Sequence, residues 1–213
     1  TDARNVITPE LRRGETQLLL LTLNRKARLG GSAISQVFEG FEDECPDIDD
    51  AKMLKVFLET VQKLCANRRV LALHDRSDGG LIVTVLEMAF AGRIGVDILA
   101  SDYVLADLFN EEVGIVIQVP TSDVASVETD AAAANICVAH VGRTRMDEEI
   151  FVNVNGREVF RSSRSALEQI WATTSYQMQR LRDDTECSDE EYGMIEAHDS
   201  GVSEGLLFDP SDN

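Results

Sequence analysis

The sequence predicts an α/β protein of the α+β kind, a mixed sheet with helices packed on its faces rather than a doubly wound parallel sheet. Three observations carry this. Strand-like and helix-like stretches interleave irregularly along the chain. The segment "EIFVNVNGREVFR" turns at Asn155-Gly156, the dipeptide of a tight antiparallel hairpin. The segment "VGIVIQV" (113–119) is apolar almost throughout, the pattern of a strand covered on both faces.

In chain order, "QLLLLTL" (17–23) reads as a buried strand, leading through "NRKAR" to the glycine pair of "LGGSAISQVFEG" and a short helix. After an acidic loop, "DDAKMLKVFLETVQKLCANR" places Leu54, Phe57, Leu58, Val61, Leu64 and Cys65 on one helical face, with Asp49 or Asp50 as N-cap. "VLAL" (70–73) is a strand, "GLIVTVLEMAFAG" a buried helix, "GVDILA" a strand and "DYVLADLF" a short helix. Beyond the apolar strand, "SDVASVETDAAAA" is helical and "ICVAHVG" a strand before the hairpin. "SRSALEQIWATTSYQMQRLR" closes the folded body as a long helix, with Leu167, Ile170, Trp171 and Met178 as anchors.

A chain of 213 residues, 44% of them hydrophobic, can build one sizeable core. One domain over 1–182 with a tail over 183–213 is the economical division, the tail having too few apolar residues to bury much by itself. The absence of Met at position 1 and the connector-like "TDARNVITPE" suggest a piece of something larger. No apolar run approaches the roughly 18 to 20 residues of a membrane span, and no basic-then-apolar leader opens the chain, so a soluble cytoplasmic protein without a membrane partner is expected. Cys45, Cys65, Cys137 and Cys187 are scattered, which excludes a CxxC metal pattern and a dense disulfide framework and suits reduced thiols. The net charge of −18 argues against nucleic acid as a partner. Much of that charge sits in the tail, which holds eleven acidic residues and no Lys or Arg.

The chemistry concentrates in "HDRSDGG" (74–80), between a strand and a helix whose only charge is Glu87. The free N–H groups at that helix start need partners, and Asp78 or Ser77 is a candidate cap. Capping alone leaves Gly79 and Gly80 unexplained, since each costs up to about 1 kcal/mol relative to Ala inside a helix. Glycines there let another group approach the backbone, and helix N-termini attract anions such as phosphate. Asp75 and Asp78 would repel a phosphate, but magnesium takes one or two carboxylates together with phosphate oxygens. Two readings therefore stand, a capped structural turn and half of a Mg-nucleotide site. His74 is assigned no chemistry, as a hydrogen-bonded core histidine. "LGGSA" (29–33) repeats the pattern more weakly, with Ser32 as cap of a tight strand-to-helix connection. Glu111 and Glu112 are either ligands, bases or a solvated strand entry. No Ser-His-Asp or Cys-His set, Walker loop or GxGxxG is present.

"HDRSDGGLIVTVLEMAFAG", "LFNEEVGIVIQV" and "WATTSYQMQRLRDDTECSDEE" together resemble the second carboxy-terminal domain, of the AIR synthase-related C type, of large single-chain phosphoribosylformylglycinamidine synthases. The resemblance spans essentially the whole chain. It implies an α/β/α sandwich and a role in an ATP- and glutamine-dependent ligase of purine biosynthesis that converts formylglycinamide ribonucleotide to formylglycinamidine ribonucleotide. It further implies that this domain helps hold a structural Mg-ADP, with Asp75 on Mg²⁺, Ser77 on the nucleotide phosphate and Gly79 and Gly80 as supporting backbone. Asp78 is then a supporting or capping residue. The implied partners are an amino-terminal AIR synthase-like half, which supplies most of the nucleotide pocket, and a glutaminase domain toward which the tail leads. Neither is in this chain, so no catalytic residue is assigned and the isolated chain is expected to be inactive. A non-catalytic scaffold module, or a domain of another ATP-dependent AIR synthase-superfamily enzyme, is the alternative.

Overall fold

Seven strands pair edge to edge in the computed structural model, which describes residues 6–38, 44–102 and 104–197. They are β1 (Thr16–Thr22), β2 (Ala72–Asp75), β3 (Val96–Ala100), β4 (Gly114–Pro120), β5 (Cys137–Thr144), β6 (Glu149–Val154) and β7 (Arg157–Ser163). Their order across the sheet is β2-β4-β1-β5-β3-β6-β7. All neighbours run antiparallel except β3 and β6, which run parallel, so the sheet is mixed as expected. The β6–β7 hairpin turns at Asn155 and Gly156 with φ of 50° and 80°, the two positive angles a type I′ turn demands.

Strand alternation builds two hydrophobic layers from one sheet. Leu18 and Leu20 of β1 join a cluster with Leu81, Val85 and Met88 of α3 (Gly80–Gly92) and Leu108 of α4 (Val104–Phe109). Leu19 and Leu21 face the other way, toward Phe57, Val61 and Leu64 of α2 (Ala51–Ala66) and Val127 and Ala131 of α5 (Val124–Ala133). Burying a side chain such as Phe57 contributes about 1.5–3 kcal/mol, and the unbroken "LLLL" is what lets one strand serve both layers. The result is an α/β/α sandwich. Helices do not cover the whole of the second face, however. That cluster contains no residue of β3, β6 or β7, where Asp97, Arg143, Arg145 and Phe151 line the sheet instead. Asp97 accepts from both arginines at 2.8 Å, and the Arg145 guanidinium lies 4.2 Å from the Phe151 ring centre.

Asp50 caps α2 through bonds from the N–H groups of Lys52 and Met53, choosing between the two expected caps. Leu58 does not join the buried face and is 47% exposed, because the contact stripe runs through Phe57, Val61 and Leu64. The strand expected at 70–73 begins two residues later, since Leu71 already bonds across to Gln118 but the paired ladder opens at Ala72.

The chain divides into two units, 1–167 and 168–213. Helix α6 (Arg164–Arg182) starts in the first, where Arg164 pairs with Glu148 and Leu167 packs against the core. Its remaining expected anchors do not bury: Ile170, Trp171 and Met178 are 72%, 57% and 66% exposed. The second unit contains an element the composition did not suggest, α7 (Thr185–Gly193), capped by Asp184. Its Tyr192 stacks on Tyr176 at 4.0 Å and donates to the Gln169 carbonyl, closing a helical hairpin with α6. Polar and aromatic contacts replace the aliphatic core that its sequence lacks.

Two glycines with similar φ separate backbone freedom from crowding. A Cβ at Gly80 (φ 71°) would lie 2.8 Å from the carbonyl oxygens of Leu108 and Asn110, whereas one at Gly156 (φ 80°) meets nothing within 4 Å. Urea denaturation is expected to show a loss of about 1 kcal/mol for Gly156→Ala and of about 3 kcal/mol or more for Gly80→Ala.

Candidate functional site

The HDRSDGG turn leaves the sheet at its edge. β2 pairs only with β4, and the Arg76 N–H donates to the Gly114 carbonyl at 2.8 Å before the chain turns away. Alternation then splits the motif between two faces. His74 reaches toward α3, with Nε2 3.2 Å from Glu87 and Nδ1 2.7 Å from the Asp75 carbonyl, a structural role as expected. Asp75 points out, its side chain 73% exposed. The Ser77 hydroxyl donates to Asp75 Oδ2 at 2.5 Å. That bond is the main reason the Asp75 carboxyl is held below its ordinary value against the opposing effect of burial, with a backbone hydrogen bond and His74 assisting. The structure thus brings Asp75 and Ser77 together as an ionised, solvent-facing pair of oxygen donors.

The glycines act differently from the sequence expectation. Gly79 and Gly80 both adopt left-handed φ, 85° and 71°, and no side chain of the turn caps α3. The Gly80 N–H donates to the Ser77 carbonyl at 3.0 Å, and the Gly79 N–H donates to Glu111 Oε1 at 2.7 Å. The same Glu111 oxygen accepts from the Ala33 N–H at 2.8 Å, at the start of α1 (Ala33–Val37). One carboxylate therefore closes both glycine turns, 29–33 and 77–80. Ser32, expected as the α1 cap, instead donates its hydroxyl to the Leu29 carbonyl at 2.6 Å.

Glu112 is 2% exposed, and its two oxygens accept from Arg28 Nε at 2.5 Å and Nη2 at 2.9 Å. Glu112 raises the Arg28 pKa through that bond. Its backbone carbonyl accepts from Arg76 Nε at 2.6 Å. Arg76 is 7% exposed, and burial pushes its guanidinium down to about 10. In this structure Glu111 caps two turns and Glu112 is a buried counter-ion, so the strand entry is not simply solvated. Sequence reading missed Arg28 and Arg76, and the one available signal was that a doubly buried strand entered through two carboxylates needs cations nearby.

Asp75 and Ser77 have the chemistry of hard-cation ligands, but one carboxylate and one hydroxyl fill only part of an octahedral shell. Among the described residues no cluster of three or more His, Cys, Asp or Glu side chains is placed to hold a metal ion. Any cation here would complete its coordination with phosphate oxygens, water or another chain segment.

Two substitutions test this framework. Glu111→Ala removes the acceptor of two helix starts at once. It is expected to cost about 2 kcal/mol and to speed amide exchange at Gly79 and Ala33 together. Glu112→Ala is expected to destabilise more than the double variant Arg28→Met/Glu112→Leu, because it leaves the Arg28 guanidinium with only the exposed Asp49 and a backbone carbonyl as partners; denaturant midpoints check both.

The family described as AIR synthase related protein, C-terminal domain, matches residues 15–155. Among solved structures, Thermotoga maritima PurL complexed with ATP superposes with a TM-score of 0.59 at 15% identity, over 78% of this chain and 27% of that one. The same protein complexed with ADP gives 0.62 at 11% identity, over 78% and 27%. Escherichia coli HypE, a hydrogenase maturation protein, gives 0.52 at 18% identity, over 72% and 51%. At these identities the likeness is one of fold, and the chain spans under a third of the length of the PurL chains. No helix among the described residues is long and apolar enough to cross a membrane. A mixed seven-stranded sheet in the matched arrangement, with the family profile covering most of it, leads to one conclusion: the chain belongs to the AIR synthase related family, as a C-terminal domain of that family.

Proposed function

We propose that this chain is the second carboxy-terminal domain of a phosphoribosylformylglycinamidine synthase, contributing half of a structural Mg-ADP site and no catalytic residue of its own. The observation that carries this is the Asp75–Ser77 pair: an ionised carboxylate that is 73% exposed and bonded to a hydroxyl, at an edge strand of the sheet. Asp75 would ligate the magnesium ion, and Ser77 would donate to a nucleotide phosphate. The metal's task is to neutralise the phosphate charge that Asp75 would otherwise repel. Gly79 and Gly80 support the pair sterically, by letting the chain fold tightly beneath it, since their own N–H groups are already satisfied. The ligase activity, with glutamine as the nitrogen source and formylglycinamide ribonucleotide as the substrate, would then reside in the assembled enzyme. Its amino-terminal half and glutaminase are the implied partners, and the cytoplasm the implied compartment. The ATP- and ADP-bound PurL structures support a nucleotide as ligand of this fold in that protein.

A scaffold role is the second reading, and it is favoured by Glu111 occupying the N–H group that a phosphate would have used. Calorimetric titration with ADP separates the two. Binding heat that requires Mg²⁺ and disappears in Asp75→Asn is the expected result. ADP binding that is unaffected by Asp75→Asn would overturn the assignment of the site, and no binding heat would mean that the site forms only when the amino-terminal half closes over it, in which case loss of bound ADP from the assembled enzyme carrying Asp75→Asn is the deciding measurement.

A further inference from the structure

On the α3 side of the same turn lies a cavity of about 530 Å³, lined by Leu20, Arg25, Lys26, Arg76, Leu81 and Asp107. Its charges are unequally satisfied. Lys26 pairs with Asp49 at 2.8 Å, and Asp107 accepts from the Ser101 N–H at 2.7 Å. His140, also on the lining, is held by Glu128 at 2.9 Å. Arg25 is exposed and has no ion-pair partner among the described residues. Arg76 stands apart. It is more than nine-tenths buried, its Nε is spent on the Glu112 carbonyl, and its Nη2 has no hydrogen-bond partner. Both oxygens of Glu112, the carboxylate whose charge acts on Arg76, are already taken by Arg28.

A buried guanidinium nitrogen without an acceptor is costly, because its N–H groups have given up water and received nothing in return. The site is nonetheless built to keep it there. A Cβ on Gly114 would lie 3.2 Å from Nε, from Nη2 and from the Leu20 methyl, so the glycine makes room for the flat guanidinium against the sheet. A planar fork fixed in this way matches the oxygens of a phosphate group better than a flexible ammonium would. We propose that this cavity is an anion subsite, taking the phosphate group of a small ligand on the face of the turn opposite Asp75, with Arg76 as its buried donor and Arg25 at its mouth. Phosphate binding here requires no divalent cation, since the subsite supplies its own positive charge, and it does not rest on the Mg-nucleotide reading.

The test is titration of the chain with inorganic phosphate, without Mg²⁺, followed by backbone amide NMR, with sodium chloride of equal ionic strength as the control. Saturable shifts at Leu20, Leu81 and Gly114 are expected with phosphate and not with chloride. Arg76→Gln should weaken the apparent affinity by about tenfold or more, and Arg25→Gln by about fivefold. Arg25 is exposed, so its variant keeps the test valid even where Arg76→Gln perturbs folding. Asp75→Asn should leave phosphate affinity unchanged, which separates this subsite from the Mg-ADP site. Shifts that fail to saturate, that follow ionic strength alone, or that persist undiminished in Arg25→Gln and Arg76→Gln would overturn the proposal, leaving a water as the partner of Arg76.

Discussion

The entry of β4 into the sheet depends on a single buried charge. Glu112 sits where the most completely covered strand begins, and it binds three separate segments: Arg28 from the loop after β1 through its carboxylate, Arg76 from the end of β2 through its carbonyl, and β4 itself through the chain. A carboxylate in that position is tolerable only with a bidentate cation, and Arg28 has no alternative acceptor of equal quality. Hydrophobic burial fixes which faces of the strands turn inward. The ion pair fixes where the loops that carry the chemistry are tied down.

Next to it, Glu111 shows how a glycine-rich turn is preorganised without its ligand. Turns with left-handed glycines, such as Gly31 in one and Gly79 and Gly80 in the other, expose N–H groups that attract anions. Here an internal carboxylate satisfies one from each turn, which holds 29–33 and 77–80 in register with each other and leaves the Asp75–Ser77 edge facing solvent. The same arrangement sorts the seven residues of the motif by role. His74 and Arg76 look inward, Asp75 outward, Ser77 braces Asp75, and the glycines close the turn.

The sheet was legible in the sequence because its signals are local. "VGIVIQV" had to be covered twice, Asn155-Gly156 had to turn, and Phe57, Val61 and Leu64 had to share a stripe. The motif was legible as a place, since two glycines opening a buried helix demand a reason. Its hydrogen bonds were not, because Glu111 lies 32 residues from Gly79 and 78 from Ala33, and only the folded topology brings them together. Charge partners such as Arg28 and Glu112, 84 residues apart, are hidden for the same reason. Helix α6 misled in the opposite direction. An apolar residue announces burial only if a surface is there to receive it, and Trp171 and Met178 of α6 are exposed.

The place of β1 in the chain has a kinetic meaning. It is an interior strand and the first of the seven to be synthesised, yet its two neighbours, β4 and β5, are separated from it by about a hundred residues. The nearest covering helix, α2, cannot complete a layer without β4. Until residue 120 has emerged, a run of four leucines has no strand to pair with on either edge. Long-range antiparallel pairing of this kind carries a large loop-closure entropy and is slow to form. The nascent chain therefore passes through a stage with its most apolar strand uncovered, and the polar caps and ion pairs from the 110–112 segment arrive together with the partner strand that ends that exposure.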